Sequence, residues 1–467
     1  MSKTKLRGGS RQPELFPRST TPRIAIEKNH RLLLLTEQTD WTELEERADR
    51  IRLSKLKSKA GRPPHLRSLL GALVLKATRD MTWREVEDQI RHYAPARFLC
   101  GLTETDWTPD FTTAHDFAVL LGEDGVRLIN EYVVKWAVDE KLADPRVVVA
   151  DTTAQEAAVP YPNEMGLMAA FMSTVAAAAG KAGAVLRGFV KSAAEEFQSA
   201  KQKVRDYRLF ARQKTKVEKD RLVASLTTVV ERVNAKLGKA LATAARTAGS
   251  RSSKYARLAK DRLARLHETM KKLAPQIRYW LRTGFVATDK IISLRIPELY
   301  SIVRGKVGKT VEFGLSWGFV RLKGGFLLAR VAANRRELVD SKFAVEAVKD
   351  QVAMFGKAPR SYAYDRGGWS AKNVLAIEKL GVKEVGLAPQ GRCKPAVSEA
   401  VGKRLAKERA LIEAGIGAVK SSRYNFHRPR AHSPRMMGVA GQLAVLGFNL
   451  NKMARAFAAQ RKMSVAG

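Results

Sequence analysis

The sequence predicts an α/β core interrupted by a long helical insertion and preceded by an all-α N-terminal domain. Three observations carry that prediction. Two β-branched or aromatic runs end in a carboxylate, Val147-Val148-Val149-Ala150-Asp151 and Ser361-Tyr362-Ala363-Tyr364-Asp365, and both read as strands delivering an acid to a strand end. Between the two carboxylates lie 213 residues, far more than a few strands need, and 165–288 is rich in Ala, Lys, Arg and Leu at helical spacing. Residues 40–143 carry helical patterns punctuated by prolines.

The elements follow in chain order. Residues 1–39 are expected to be a basic flexible arm, with Gly8-Gly9, Pro13, Pro17 and Pro22 among several Lys and Arg. Residues 40–143 predict helices over 41–53, 66–79, 82–92 and 112–121, separated by Pro63-Pro64, Pro95 and Pro109. Thr82 and Glu85, three apart, form a capping-box pattern at the start of the third. Arg62, Arg67 and Arg84, with His65, Lys76, Arg79 and Arg91, suggest a helix-turn-helix-like module presenting positive charge to DNA. A small helical bundle with a solvated basic face fits the same pattern.

Residues 144–164 are the expected first part of the α/β domain, and 165–288 the insertion. Ala259, Leu263, Leu266, Met270, Leu273, Ile277 and Trp280 alternate by four and three. That seam predicts an antiparallel helical hairpin or short coiled coil, kinked by Pro275. Its apolar face suits a dimer contact, a DNA-backbone contact or simple internal packing. Residues 289–460 complete the α/β domain. Strands over 311–322 and 325–332 flank the turn Lys323-Gly324-Gly325, followed by helix 343–355, the Asp365 strand, helix 371–380, strand 384–387 and a basic helix holding Glu413.

Composition names a partner class. The chain has 84 Lys and Arg against 46 Asp and Glu, a formal charge of +38. So basic a chain binds polyanions by releasing condensed counterions. The two cysteines, Cys100 and Cys393, are far apart with no CxxC or Cys/His spacing, so neither a disulfide framework nor a zinc site is indicated and the expected compartment is the cytoplasm. Residues 1–23 lack an apolar signal region, and the longest apolar stretch, 165–179, is short for a membrane helix.

Asp151, Asp365 and Glu413 together read as a metal-binding set. Mg²⁺ takes carboxylate oxygens, one or two per ion, with water and substrate phosphate completing the shell. Three carboxylates therefore suit two ions about 3.5–4 Å apart, which stabilise attacking and leaving oxygens of an in-line phosphoryl displacement.

The surrounding motifs resemble bacterial insertion-sequence transposases of the DDE type. The resemblance rests on Asp151-Thr152-Thr153-Ala154-Gln155-Glu156 with Tyr161-Pro162, Arg304-Gly305-Lys306 with Val311-Glu312-Phe313-Gly314, Asp365-Arg366-Gly367-Gly368-Trp369-Ser370, and Arg409, Glu413 and Lys420. The last three keep the spacing of the family's Tyr-x2-Arg-x3-Glu-x6-Lys signature, but the tyrosine position is Ala406, so no tyrosine role carries over. The resemblance runs from about residue 60 to about 450. It implies an RNase H-like catalytic domain, in which the first two acids end adjacent central strands and the third comes from a helix beside them. It also implies a helical domain that binds terminal repeats.

The activity so implied is Mg²⁺-dependent cleavage at transposon ends and strand transfer to target DNA, with two ions per site or Mn²⁺ in their place. Asp151 would bridge the ions, and Asp365 and Glu413 would each complete one side. Arg366, Arg409 and Lys420 would neutralise phosphate charge, and Arg428, in the aromatic and basic run 424–430, would help grip a distorted end. The expected partners are double-stranded DNA and further copies of the chain, as a homodimer or higher assembly on DNA, in a nucleoid-associated location. Two other readings stay open: a non-catalytic DNA-binding regulator of a mobile element, and an RNA-binding scaffold resting on charge alone. A tyrosine recombinase would need a nucleophilic Tyr within an Arg/His cluster, and that order is missing.

Overall fold

A computed structural model describes residues 26–56, 63–103, 107–210, 212–246, 253–306, 309–332, 337–389, 396–431 and 433–466. Arg62, Cys393 and the arm up to residue 25 lie outside the described residues, as do the side chains of Arg304 and Lys306. The chain forms two compact units, one comprising residues through Ala157 and from Leu315 onward, the other Ala158–Gly314.

The first unit opens with helices α1 (Arg31–Gln38), α2 (Trp41–Lys55), α3 (Leu66–Thr78), α4 (Trp83–His92), α5 (Ala94–Leu99) and α6 (Phe111–Asp139), then strand β1 (Asp144–Glu156). After the second unit come β4 (Leu327–Val331), α12 (Asp340–Phe355), β5 (Ser361–Tyr364), α13 (Ala371–Lys379), β6 (Glu384–Leu387), α14 (Glu399–Lys420) and α15 (Pro434–Ala466). The capping box stands as predicted: Thr82 caps the Glu85 backbone, and the Glu85 carboxylate accepts from the Thr82 N–H.

Residues 31–38, expected to belong to a flexible arm, instead form α1, whose Leu32, Leu34 and Leu35 are buried. Four consecutive leucines supply an apolar face that α5 and α15 cover. Nor do the helices of 40–143 stand apart as a domain of their own. Leu70, Leu73, Val86 and Ile129 share one hydrophobic core with Val148 of β1, Tyr362 of β5 and Leu446 of α15. The cause is α15, which packs on α3, α6 and β4. There Asn449 Nδ2 donates to Asn130 Oδ1 at 2.8 Å and to Leu327 O at 2.7 Å, and Asn449 Oδ1 accepts from Leu327 N at 3.0 Å. The edge backbone of β4 is thereby satisfied inside the core, where an unmade hydrogen bond would be costly.

The sheet has six strands in the order β2 (Tyr300–Lys306), β3 (Lys309–Lys323), β1, β5 and β6, with β4 also on β3. β3 pairs antiparallel with β4, and β1 and β5 and then β5 and β6 pair parallel. The β1–β5 register aligns Val147 with Ser361, Val148 with Tyr362 and Val149 with Ala363.

The second unit contains α7 (Glu164–Ala179), α8 (Ala184–Ser192), α9 (Ala194–Phe210), α10 (Lys216–Arg246) and α11 (Lys254–Thr283), then β2 (Tyr300–Lys306) paired antiparallel with the start of β3. The hairpin expectation is met by α10 and α11 but is only part of a larger bundle, since both also pack on α7. α11 runs through Pro275 as one helix. All the seam residues from Ala259 to Ile277 are buried in this unit's own core, with Leu226, Val230, Val233 and Leu237 of α10. The seam is therefore internal packing, not a free dimer surface.

Leu266→Asp with Leu273→Asp is accordingly expected to unfold the bundle, because each uncompensated buried carboxylate costs about 3–5 kcal/mol. Circular dichroism melts of the full chain check this. Native helicity and an unchanged Tm would return the seam to the surface.

Candidate active site

Continuing the β1–β5 register two residues past Val149 and Ala363 sets Asp151 beside Asp365. Aligned residues of neighbouring strands point to the same face, so the register brings both acids to the same end of the β1–β5 pair. The electrostatics agree: the charges of both acids act on the fully buried Tyr362, adding to the burial that pushes its phenol well above its ordinary value. Asp151 does not close its strand as predicted, because β1 continues through Glu156. Thr152 and Thr153 keep the backbone extended, Gln155 Oε1 accepts from Trp317 Nε1 at 3.1 Å, and Glu156 N donates to His427 O at 2.8 Å. Asp365 does end its strand. It caps a single 3-10 turn, Arg366–Gly368, by accepting from Gly367 N at 2.9 Å.

Sequence reasoning missed a third carboxylate here. Asp340, the first residue of α12, accepts from Thr152 Oγ1 at 2.6 Å and from the Tyr364 hydroxyl at 3.1 Å. A Cβ on Gly367 would lie 2.7 Å from Asp340 Oδ2, so glycine there admits the carboxylate. Burial first, then the Asp340 charge, holds the Asp365 carboxyl above its usual range. The only sequence signal for Asp340 was an acid in a helix's first turn, which favourable dipole placement explains equally well. Asp340→Asn is expected to bring the Asp365 carboxyl back down by removing a like charge. A carboxyl NMR titration reads this, and an unmoved Asp365 would separate the two groups.

Glu413 lies on α14, which packs on β1, β5 and β6 through Leu405, Ile412, Ile416 and Val419, and its side chain is exposed. Arg409, Glu413 and Lys420 recur at helical spacing along one face. The Arg409 charge acts on Asp365, which brings that face near the aspartates. Among the described residues, however, no three His, Cys, Asp or Glu side chains converge closely enough to hold a metal ion. The donor set still fits a hard cation, since one or two carboxylates with substrate phosphate are what Mg²⁺ ordinarily uses. The crowding of Asp365 against Asp340 is the repulsion such an ion relieves.

The basic residues divide. Arg366 is exposed beside Asp365, Arg84 is exposed with its guanidinium 4.3 Å from the Phe111 ring centre, and Lys420 ends α14 half-buried. Arg67 is not presented to solvent as expected. It lies 3.3 Å over the Trp41 ring, donates to Leu99 O, and burial pushes its guanidinium down to about 10. Arg428 is likewise committed: its Nη2 and Nε meet the buried Glu156 carboxylate at 2.8 and 3.1 Å, and His427 Nε2 lies 3.3 Å from the same group. Phe426 is buried against Trp317 and Phe319. The run 424–430 thus fastens to β1 and β3, leaving Tyr424, Asn425 and Arg430 to line a cleft of about 200 Å³ with Lys76, Arg79 and Trp83.

Among the described residues no helix is long and apolar enough to cross a membrane. No match to a curated protein or to a solved structure was found. Residues 21–119 match the family model of a transposase domain (DUF772), so a transposase domain occupies the N-terminal region of this chain.

Proposed function

We propose that the protein is a DNA transposase of an insertion sequence that cleaves phosphodiester bonds at the element's ends and joins them to target DNA. The observation that carries the reading is the parallel β1–β5 register, which, carried two residues beyond the Val149–Ala363 pair, brings Asp151 level with Asp365, in a chain that also holds a transposase domain. Support for an RNase H-like core comes from the two acids on adjacent central strands and from α14, bearing Glu413, packed against both strands.

Asp151 and Asp365 would hold Mg²⁺, and Glu413 would supply a further carboxylate. When bound, the ion supplies Lewis-acid stabilisation of an in-line phosphodiester displacement. The chain's own residues do the rest. Asp340 positions Thr152 and Tyr364 beside the pair, and the Gly367 N–H orients the Asp365 carboxylate. Arg366, Arg409 and Lys420 neutralise the phosphates alongside, and the exposed Arg84 contributes to backbone binding. Water is the first nucleophile and the freed 3′-hydroxyl the second, so no covalent protein intermediate is needed.

The test is incubation of the purified chain and Mg²⁺ with the DNA flanking its own coding sequence. Nicks leaving 3′-hydroxyls at the element's ends, followed by joined products, are expected. A chain that binds those ends but never cuts them is instead a non-catalytic DNA-binding regulator of the element.

A further inference from the structure

The second unit carries half of the chain's net charge in about a third of its length. Residues 158–314 hold 31 Lys and Arg against 12 Asp and Glu, +19 of the +38. Part of this excess is ordered along α10. Arg221, Arg232, Lys239 and Arg246 are all exposed and recur at multiples of three and four residues, so they share one face of the helix. The exposed positions of that face between them hold Ser225, Thr228, Ala235 and Ala242, and no acid. The opposite face, with Leu226, Val230, Val233 and Leu237, is spent in the bundle core.

Ion pairs fix how the basic face is bordered. On one side Lys236 meets Glu196 of α9, and on the other Glu231 Oε1 accepts from Arg278 Nε of α11 at 2.7 Å. Both bordering acids are thus committed to other cations. Folding draws nothing from four exposed cations in a row, since successive ones about 10 Å apart repel at low salt. We propose that this face of α10 grips duplex DNA by its phosphates without reading sequence; the choice of DNA as the polyanion rests on the transposase reading. From Arg221 to Arg246 the face runs about 38 Å, close to one duplex turn of about 34–36 Å. The short side chains between the cations let a sugar-phosphate backbone approach, and the Ser225 hydroxyl is a further phosphate donor. The face offers no aromatic ring for the bases of a single strand to stack on, and no large apolar residue to enter a membrane.

The test uses the full chain carrying Arg221→Gln, Arg232→Gln, Lys239→Gln and Arg246→Gln together, titrated by anisotropy with duplex DNA of arbitrary sequence at several salt concentrations. The log-log salt slope is expected to become shallower by about 3.6, four contacts at about 0.9 each. Helicity and Tm should match wild type, since all four side chains are exposed. Should the variant melt lower, Arg232→Gln alone decides, with an expected change of about 0.9. The control neutralises Lys201, Arg205 and Arg208, exposed on α9 on the side away from Glu196. An unchanged slope in the α10 variant overturns the proposal. So does an equal change per charge in the α9 control, which means diffuse attraction only, or a change seen with duplex RNA but not with duplex DNA. The two readings fail separately. A wild type that never nicks the element's ends sinks the transposase chemistry, whereas normal nicking with an unchanged slope in the α10 variant sinks only the grip.

Discussion

Asp151→Asn and Asp365→Asn are each expected to lower strand cleavage by at least about a thousandfold, a loss of about 4 kcal/mol of transition-state stabilisation. Both changes are nearly isosteric. After Asp365→Asn the side-chain amide oxygen still accepts from Gly367 N, so the 3-10 turn survives, and Asp151→Asn leaves the strand pairing of β1 with β5 untouched. What disappears is one full negative charge from the proposed metal-binding acids. DNA binding is expected to change little, since each variant only adds to an already large positive charge. Gel-shift titration and a cleavage assay on the same preparations separate the two effects. Glu413→Gln belongs in the same series because its carboxylate is exposed and outside any converged set in the free protein. Near-wild-type cleavage by Glu413→Gln would leave the aspartate pair as the whole acidic centre, whereas near-wild-type cleavage by either aspartate variant would sink the proposed chemistry.

How much of this was legible in the sequence depended on whether a feature was local. The capping box at Thr82, the strand Glu384–Leu387 and the strand ending at Asp365 came out as read, because each is specified by a few neighbouring residues. Side-chain periodicity likewise located the bundle helices but could not say what covers their apolar faces. The α11 seam looks the same whether α10 or a second chain fills it, and only the packing identifies α10. The same limit explains Arg67 and Arg428. Their charges were legible, but their partners, Trp41 and Glu156, lie 26 and 272 residues away along the chain. Asp340 was missed for the converse reason: Thr152 is 188 residues distant, and no spacing rule joins them.

That division of the arginines makes the salt dependence of DNA binding a residue-level prediction. Wild-type affinity for arbitrary duplex is expected to fall roughly a thousandfold between about 50 and 200 mM salt if about six phosphates are neutralised, following a log-log slope near −0.9 per contact. Arg409→Gln and Arg366→Gln are each expected to shallow that slope by about 0.9 if DNA binds beside Asp365 as proposed, because Arg366 is exposed next to that residue and the Arg409 charge acts on its carboxyl. Arg67→Gln is expected to leave the slope unchanged and to lower the Tm, since its guanidinium is spent on the Trp41 ring and the Leu99 carbonyl inside the fold. Arg428→Gln should behave like Arg67→Gln with a larger stability loss, because it takes a charged partner from Oε2 of Glu156, a residue only 4% exposed, and leaves His427 beside the other oxygen. Anisotropy titrations at several salt concentrations, paired with thermal melts, place each arginine on one side or the other. A flat salt response in the wild type would remove the polyanion partner, and a slope change in Arg67→Gln without a change in Tm would return that residue to the DNA-binding surface.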